Sequence, residues 1–253
     1  MQTQNNSISF IIPCYNEEAN IQKGVLDKVG NFSEDDARIK EVLIVDDGSS
    51  DSSKKIIKER YLKNYPKFRL IENKHMGKAF AIIAGIYQAK STNVMFFDID
   101  LATPLEEMEQ LWVYIQKGYE IVIGSRTQER AGAPIQRKIL AKGFIVIRNF
   151  SIGLKGIKDT QCGFKMFNTV AAKNILSKLH VFKAKRTVHG PSVFAGFDLE
   201  FLFVAAKLKY KIKEVPVIWR HVETKNVNFV KDAVETLKDI ARIKLADIQG
   251  KYN

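Results

Sequence analysis

An alternation running from residue 7 to residue 126 constrains this chain more than any other feature. Short apolar runs, each closed by a polar or acidic turn, take turns with stretches of helical spacing. "SISFIIPCY" reads as a buried strand stopped by Pro13, and "NEEANIQKGVLDKVGNF" after it as a helix with acids in its first turn. "IKEVLIVDDGSSDSSKKIIKERYLKNY" repeats the unit: strand, acidic turn, helix. "FRLIEN" and "GKAFAIIAGIYQAK" are a third strand and helix. "NVMFFDID" is a fourth strand, "PLEEMEQLWVYIQKG" a helix with Pro104 in its first turn, and "YEIVIGSR" a fifth strand. Such alternation predicts an α/β domain with a largely parallel sheet. Ligands of these sheets bind beyond the carboxyl ends of the strands. "PCYNEE", "DDGSSD", "DID" and "GSR" all fall at those ends.

The acids at the strand ends have two readings. Asp98 and Asp100 stand at i and i+2, so on a strand they point the same way and converge on one site. Carboxylate pairs of this kind suit a hard divalent cation, Mg²⁺ or Mn²⁺, that bridges to substrate phosphates. Equally, Asp98, Asp100 or Thr103 can cap the helix near Pro104. In "VDDGSSD", Asp46 and Asp47 can accept hydrogen bonds from a nucleobase or ribose, or the whole motif can be a capped turn built around Gly48.

Composition narrows the partners. The 253 residues, 45% of them apolar, suffice for one sizeable core. A formal charge of +12 favours polyanions, nucleotide phosphates or acidic lipid headgroups. Nucleic acid is the weakest of these, because aromatic-basic RNA motifs and a helix-turn-helix pattern are missing. Cys14 and Cys162 have no metal-type spacing and suggest a reducing compartment. The first ten residues lack the pattern of a secretory signal, and no apolar run reaches the length of a membrane span. The expectation is a soluble or peripheral protein.

Beyond residue 126 the alternation lapses. "QRKILAKGFIVIRNFSIGLKG" mixes large apolar and basic residues. Residues 229–248 read as an amphipathic helix with Phe229, Val230, Ala233, Val234, Leu237, Ile240 and Ala241 on one side. This gives a domain over 1–228 and a helical extension over 229–253. The extension and "KILAKGFIVIRNF" are either ordinary core-facing helices or segments lying in a membrane interface.

Taken together, "PCYNEE" (13–18), "VDDGSSD" (45–51), "NKHMGKAFA" (73–81), "DIDLATP" (98–104), "GSR" (124–126), "DTQCGFK" (159–165) and "FDLE" (197–200) resemble, in order and spacing, glycosyltransferase family 2 with its GT-A fold. Within it they resemble the polyprenyl-phosphate hexosyltransferases, dolichyl-phosphate glucosyltransferase and dolichyl-phosphate mannose synthase, from about residue 7 to about 225. The resemblance implies an α/β fold with a mixed, mostly parallel sheet flanked by helices, and an inverting enzyme that moves a hexose from a nucleotide sugar to polyprenyl phosphate with Mg²⁺ or Mn²⁺. It implies a nucleotide-sugar pocket lined by Pro13, Tyr15, Glu17, Asp46 and Asp47, with Gly77 and Lys78 beside it. Asp98 and Asp100 match the acids that hold the metal and the diphosphate. Arg126 and Arg137 match arginines on the acceptor phosphate, a task suited to a planar guanidinium fork. Arg220 and Lys225 fall where the family has a basic loop, although "RHVETKNV" departs from its usual Ser-Lys ending. Asp159 and Gln161 shape the acceptor side, and Asp198 orients the sugar or assists. The mannose synthases resemble D-A-D-x-Q, whereas this chain has Ala102 at the glutamine position. That departure favours UDP-glucose over GDP-mannose.

The resemblance also implies peripheral attachment to the cytoplasmic face of a membrane. Asp100, Arg126, Arg137 and Asp198 carry the expected chemistry. An alternative within the family is a saccharide acceptor, which would need a general base at Asp198 or Glu200. Cys162 reads as packing rather than as a nucleophile, and His180, His189 and His221 as surface or packing residues.

Overall fold

The structure is a computed structural model that describes residues 6–126, 148–149, 151–154, 156–182, 195–220 and 229–252. Its centre is a sheet of seven strands: β1 (Ile8–Cys14), β2 (Ile39–Asp46), β3 (Phe68–Glu72), β4 (Asn93–Phe97), β5 (Ile121–Arg126), β6 (Phe164–Asn168) and β7 (Ile212–Val217). Their order is β3-β2-β1-β4-β6-β5-β7. All neighbours run parallel except β6, which is antiparallel to both β4 and β5. The largely parallel sheet predicted from the alternation is therefore present, and β6 makes it mixed, as the GT-A resemblance implies.

Both faces of the sheet are covered, which is why β1 and β4 are continuous apolar runs without alternation. Ile11, Val94 and Phe96 point to the face packed by α5 (Lys78–Gln88), α7 (Thr169–Ser177) and α8 (Ala195–Lys207). Phe10, Ile12, Met95 and Phe97 point to the other, which holds α2 (Val25–Asp35) and α6 (Met108–Gln116). Between β2 and β3 lie α3 (Ser53–Ile56), a π-helical turn (Ile57–Tyr61) and α4 (Leu62–Asn64).

Three local expectations are corrected. The helix expected over "NEEANIQKGVLDKVGNF" is two, α1 (Glu18–Gln22) and α2, because Gly24 takes φ +77° and breaks the run. Pro104 does not open α6 directly; a 3₁₀ turn, Leu105–Glu107, stands between them with no side-chain cap. Helix α9 (Phe229–Ile248) buries Ile240, Ile243 and Ala246 in the core shared with α8, but leaves Val234, Leu237, Leu245 and Ile248 exposed. Its apolar residues thus belong to two faces rather than the single side expected. Among the described residues no helix is long and apolar enough to cross a membrane.

The single antiparallel strand matters most for the site. A strand that runs backward begins where its parallel neighbours end. Phe164, the first residue of β6, pairs with Phe97, the last of β4. The residues just before it are thereby delivered to the same edge as "DID" and "GSR".

Candidate active site

At that edge the charged groups form a chain. Asp98 follows β4, and the Lys78 ammonium, on the first residue of α5, is bonded to Asp98 Oδ1. Gly163 packs on the other side: a Cβ there would lie 2.2 Å from Asp98 Oδ2, so a side chain at 163 would occupy the carboxylate's space. Asp100 turns back on its own loop, accepting from the Ala102 N–H at 3.0 Å over Leu101, whose φ is +51°. Burial, with Asp98 nearby, pushes the Asp100 carboxyl above its usual range. Neither acid caps the following helix. The loop is stitched to the exit of β7, where the Arg220 N–H donates to the Ala102 carbonyl at 2.7 Å.

Behind this pair lies a second. Lys165, buried in mid-β6 between Phe96 and Ile123, is ion-paired to Asp198 on the first turn of α8. Its ammonium also lies 5.2 Å from the Phe96 ring centroid. Lys165 was not among the expected site residues. Its signal was a lone lysine inside the apolar "GFKMF", a place where a charge needs a partner.

The residues expected around the nucleotide lie on two cross-linked loops. Asn16 Oδ1 accepts from the Ser50 N–H at 2.8 Å, the Glu17 N–H donates to Ser53 Oγ at 2.9 Å, and the Glu18 N–H donates to Asp51. Pro13 is buried within β1. Asp46, fully buried, accepts from the N–H groups of Gly48 and Ser49. Asp47 organises the loop before α5: Oδ1 accepts from the Met76 N–H at 3.0 Å, and Oδ2 from the Gly77 N–H at 2.7 Å and lies 2.8 Å from His75 Nδ1. His75, also unanticipated, stacks on Tyr15 with ring centroids 4.0 Å apart. Gly48 permits this approach, since a Cβ there would sit 2.9 Å from the His75 backbone nitrogen at a φ of +76°.

At the end of β5, Arg126 is held rather than free. Its Nε and Nη2 donate to the two oxygens of Asp159 at 2.7 and 2.9 Å, and its guanidinium lies 5.9 Å from the Trp219 ring. Burial alone would raise the Asp159 carboxyl, but the Arg126 bonds overcome it and hold the group below the usual carboxylate range. Arg148 supports the loop from inside through the Ile157 and Lys158 carbonyls and Thr160. Gln161 takes part through its backbone, its N–H donating to Asp159 Oδ1 at 3.2 Å. Arg137 and Lys225 lie outside the described residues, as do His189 and His221.

Glu200 is fully committed elsewhere. It is buried, and its carboxylate accepts from the N–H groups of His180, Val181 and Phe182 and from the Tyr252 hydroxyl. Burial pushes the Cys162 thiol up to about 11, and Cys14 is raised as well, so neither is a ready thiolate.

Among the described residues no three His, Cys, Asp or Glu side chains gather to cage a metal. Asp98 and Asp100 nevertheless fit one: they are hard oxygen donors on one loop, with backbone in place of a side chain at Gly163. Two protein ligands suit an ion whose other positions are filled by diphosphate and water.

The family model for glycosyl transferase family 2 matches residues 9–176. The dolichyl-phosphate beta-glucosyltransferase of Saccharomyces cerevisiae is 31% identical, over 97% of this chain and 76% of that protein. A dolichyl-phosphate beta-glucosyltransferase of Trichomonas vaginalis is 33% identical, over 97% of this chain and 75% of that protein. Among solved structures, glucosyl-3-phosphoglycerate synthase of Mycobacterium tuberculosis, in complex with Mn²⁺, UDP and glucosyl-3-phosphoglycerate, superposes with a TM-score of 0.59. The match has 17% identity and covers 97% of this chain and 80% of that one.

Proposed function

Because the chain belongs to glycosyl transferase family 2, and is thus a glycosyltransferase with the GT-A fold, we propose that it moves glucose from UDP-glucose to dolichyl phosphate or a related polyprenyl phosphate, with inversion to a β-linked lipid phosphosugar. The observation that carries this reading is the grouping of Asp98, Asp100 and Lys78 at one sheet edge, beside the Tyr15–His75 stack and across from Arg126. The names of the relatives supply the glucose and the lipid.

Each group has a task. Tyr15 and His75 form an aromatic wall for the nucleobase, and Asp46 and Glu17 border it. Asp98 and Asp100 would hold Mg²⁺ or Mn²⁺, which supplies Lewis-acid charge for the departing diphosphate. Lys78 adds positive charge at the same place. Arg126 keeps Nη1 for the acceptor phosphate while Asp159 fixes the plane of its guanidinium, so the nucleophile is oriented and its repulsion from the donor is screened. Arg220, Arg137 and Lys225 take the same task from the family resemblance, Arg220 alone lying within the described residues. Asp198, fixed by Lys165, orients the donor sugar.

A phosphate monoester is largely ionised at neutral pH, its second pKa being about 6. It needs no general base. Asp198 is paired with Lys165 and Glu200 with three amides and a tyrosine, so the carboxylates that a saccharide hydroxyl would require as base are both engaged. This favours the lipid phosphate over a saccharide acceptor. Attachment to the cytoplasmic face of a membrane fits the +12 charge and the exposed Val234, Leu237, Leu245 and Ile248 of α9.

The test is incubation with a short polyprenyl phosphate, Mn²⁺ and labelled UDP-glucose, GDP-mannose or UDP-N-acetylglucosamine in parallel. Label entering the organic phase with UDP-glucose alone is the expected result. Transfer only from GDP-mannose would replace the sugar, and transfer to a soluble glycan would replace the acceptor.

A further inference from the structure

Lys78 and a divalent cation have business with the same carboxylate. The Lys78 ammonium is bonded to Asp98 Oδ1. Asp98 Oδ2 faces the backbone of Gly163, close enough that a Cβ there would meet it at 2.2 Å. Asp98 therefore has one oxygen held by a cation, while the other looks onto the space that the missing side chain of Gly163 leaves open. Asp198 and Asp100 also act on the Lys78 charge. Lys78 is thus the counter-ion at the middle of an acidic group, at the first residue of a helix whose position is fixed by the Asp47 bonds to Met76 and Gly77.

Resting on the family 2 reading above, we propose that Lys78 is an internal counter-ion which a divalent cation must displace from Asp98, passing to the nucleotide diphosphate as it leaves, so that metal and nucleotide bind interdependently. The physical argument is one of charge. An ammonium and a divalent ion a few ångströms apart repel, so a metal meeting Asp98 alone competes with Lys78 for one carboxylate's charge. A diphosphate offers that ammonium a new anionic partner and offers the metal its missing oxygens. Each ligand then removes the cost of the other. By linkage, the factor by which UDP tightens the metal equals the factor by which the metal tightens UDP.

The experiment is Mn²⁺ titration followed by electron paramagnetic resonance of the free ion, with and without UDP, on wild-type protein, K78M, K78Q and K78R. In the wild type, UDP should tighten Mn²⁺ by about tenfold or more. In K78M and K78Q, Mn²⁺ alone should bind about tenfold tighter than in the wild type, while UDP alone binds more weakly and the coupling shrinks. K78R, which keeps the charge, should resemble the wild type in metal affinity. K165M removes a buried charge paired to Asp198 and should raise Mn²⁺ affinity less than K78M. Thermal melts report folding, and K78Q provides a second neutral side chain if K78M is unstable. Unchanged or weaker Mn²⁺ binding in the folded neutral variants overturns the counter-ion role while leaving the family 2 reading intact. Absence of Mn²⁺ binding to wild type even with UDP overturns the counter-ion role and the metal site together.

Discussion

The Tyr252 hydroxyl donates to Glu200 Oε1 at 2.7 Å, bonding the end of the chain to the carboxylate that also gathers the amides of residues 180–182. Tyr252 ties α9 back to α8, and Glu200 ties α8 to the exit of α7. Y252F removes one hydrogen bond to a charged acceptor and should cost about 2 kcal/mol in urea unfolding. E200Q leaves a carboxamide facing donors and should cost more, on the order of 3 kcal/mol. Equal, small losses would mean that the node does not hold the two helices together.

Asp100 should cost the fold what it gives the chemistry. Its carboxyl is raised, chiefly by burial and then by Asp98. A raised folded value means that its contribution to stability is fully present below the unfolded value and is lost as pH rises through the folded one. At neutral pH the ionised group is therefore a burden. D100N should melt at or above the wild-type temperature at pH 7, and the gain should vanish near pH 3. Its metal-dependent transfer should fall by about 10²-fold or more. A lower melting temperature at pH 7 would contradict the first part, and full activity the second.

Arg126 and Asp159 should separate binding of acceptor from binding of donor. R126K keeps the charge but loses the two-pronged contact. Its KM for polyprenyl phosphate should rise about tenfold while UDP affinity stays unchanged. A matching loss of UDP affinity would move Arg126 to the donor side. D159N should also lose stability relative to wild type at neutral pH, because the lowered Asp159 value supplies stability that is present above the unfolded value and is lost only as pH falls through the folded one.

Lys165 and Asp198 should behave as a unit. K165M leaves Asp198 without its buried partner and should destabilise by about 3 kcal/mol. K165M combined with D198N should be less unstable than the two single losses added together, giving a coupling energy of about 1 kcal/mol or more in a double-mutant cycle. Strict additivity would mean that the pair contributes nothing as a pair.

Much of this architecture could be read in the sequence, because β1, β2, β4 and β5 are buried on both faces and so announce themselves as apolar runs. β6 could not. "FKMFN" is short, follows a loop motif and carries a lysine that only the position of Asp198 explains. The apolar residues of α9 were merged into one stripe because nothing in the pattern says which of them meet α8; Ile240, Ile243 and Ala246 do. At the site, Lys78 is paired with Asp98 and Asp100 lies on the same loop, each placed by the end of a strand or the start of a helix. Arg126 and Asp47 were legible as polar residues at strand ends. Their partners, Asp159, and His75 with the Met76 and Gly77 amides, come from distant loops whose meeting is a property of the fold.

The reversed strand also sets an order of assembly. β5 and β7 join the sheet only through β6, whose pairing with β4 spans the chain from Asn93 to Asn168. Contacts so distant along the chain carry a large loop-closure cost and form late. On a ribosome, β1 to β4 can dock on α5 and present Asp98 and Lys78 before Gly163 and Lys165 have been translated. Insertion of a five-residue strand then brings Gly163 and Lys165 to the edge that already holds Asp98 and Lys78, and opens the way for β5 and β7.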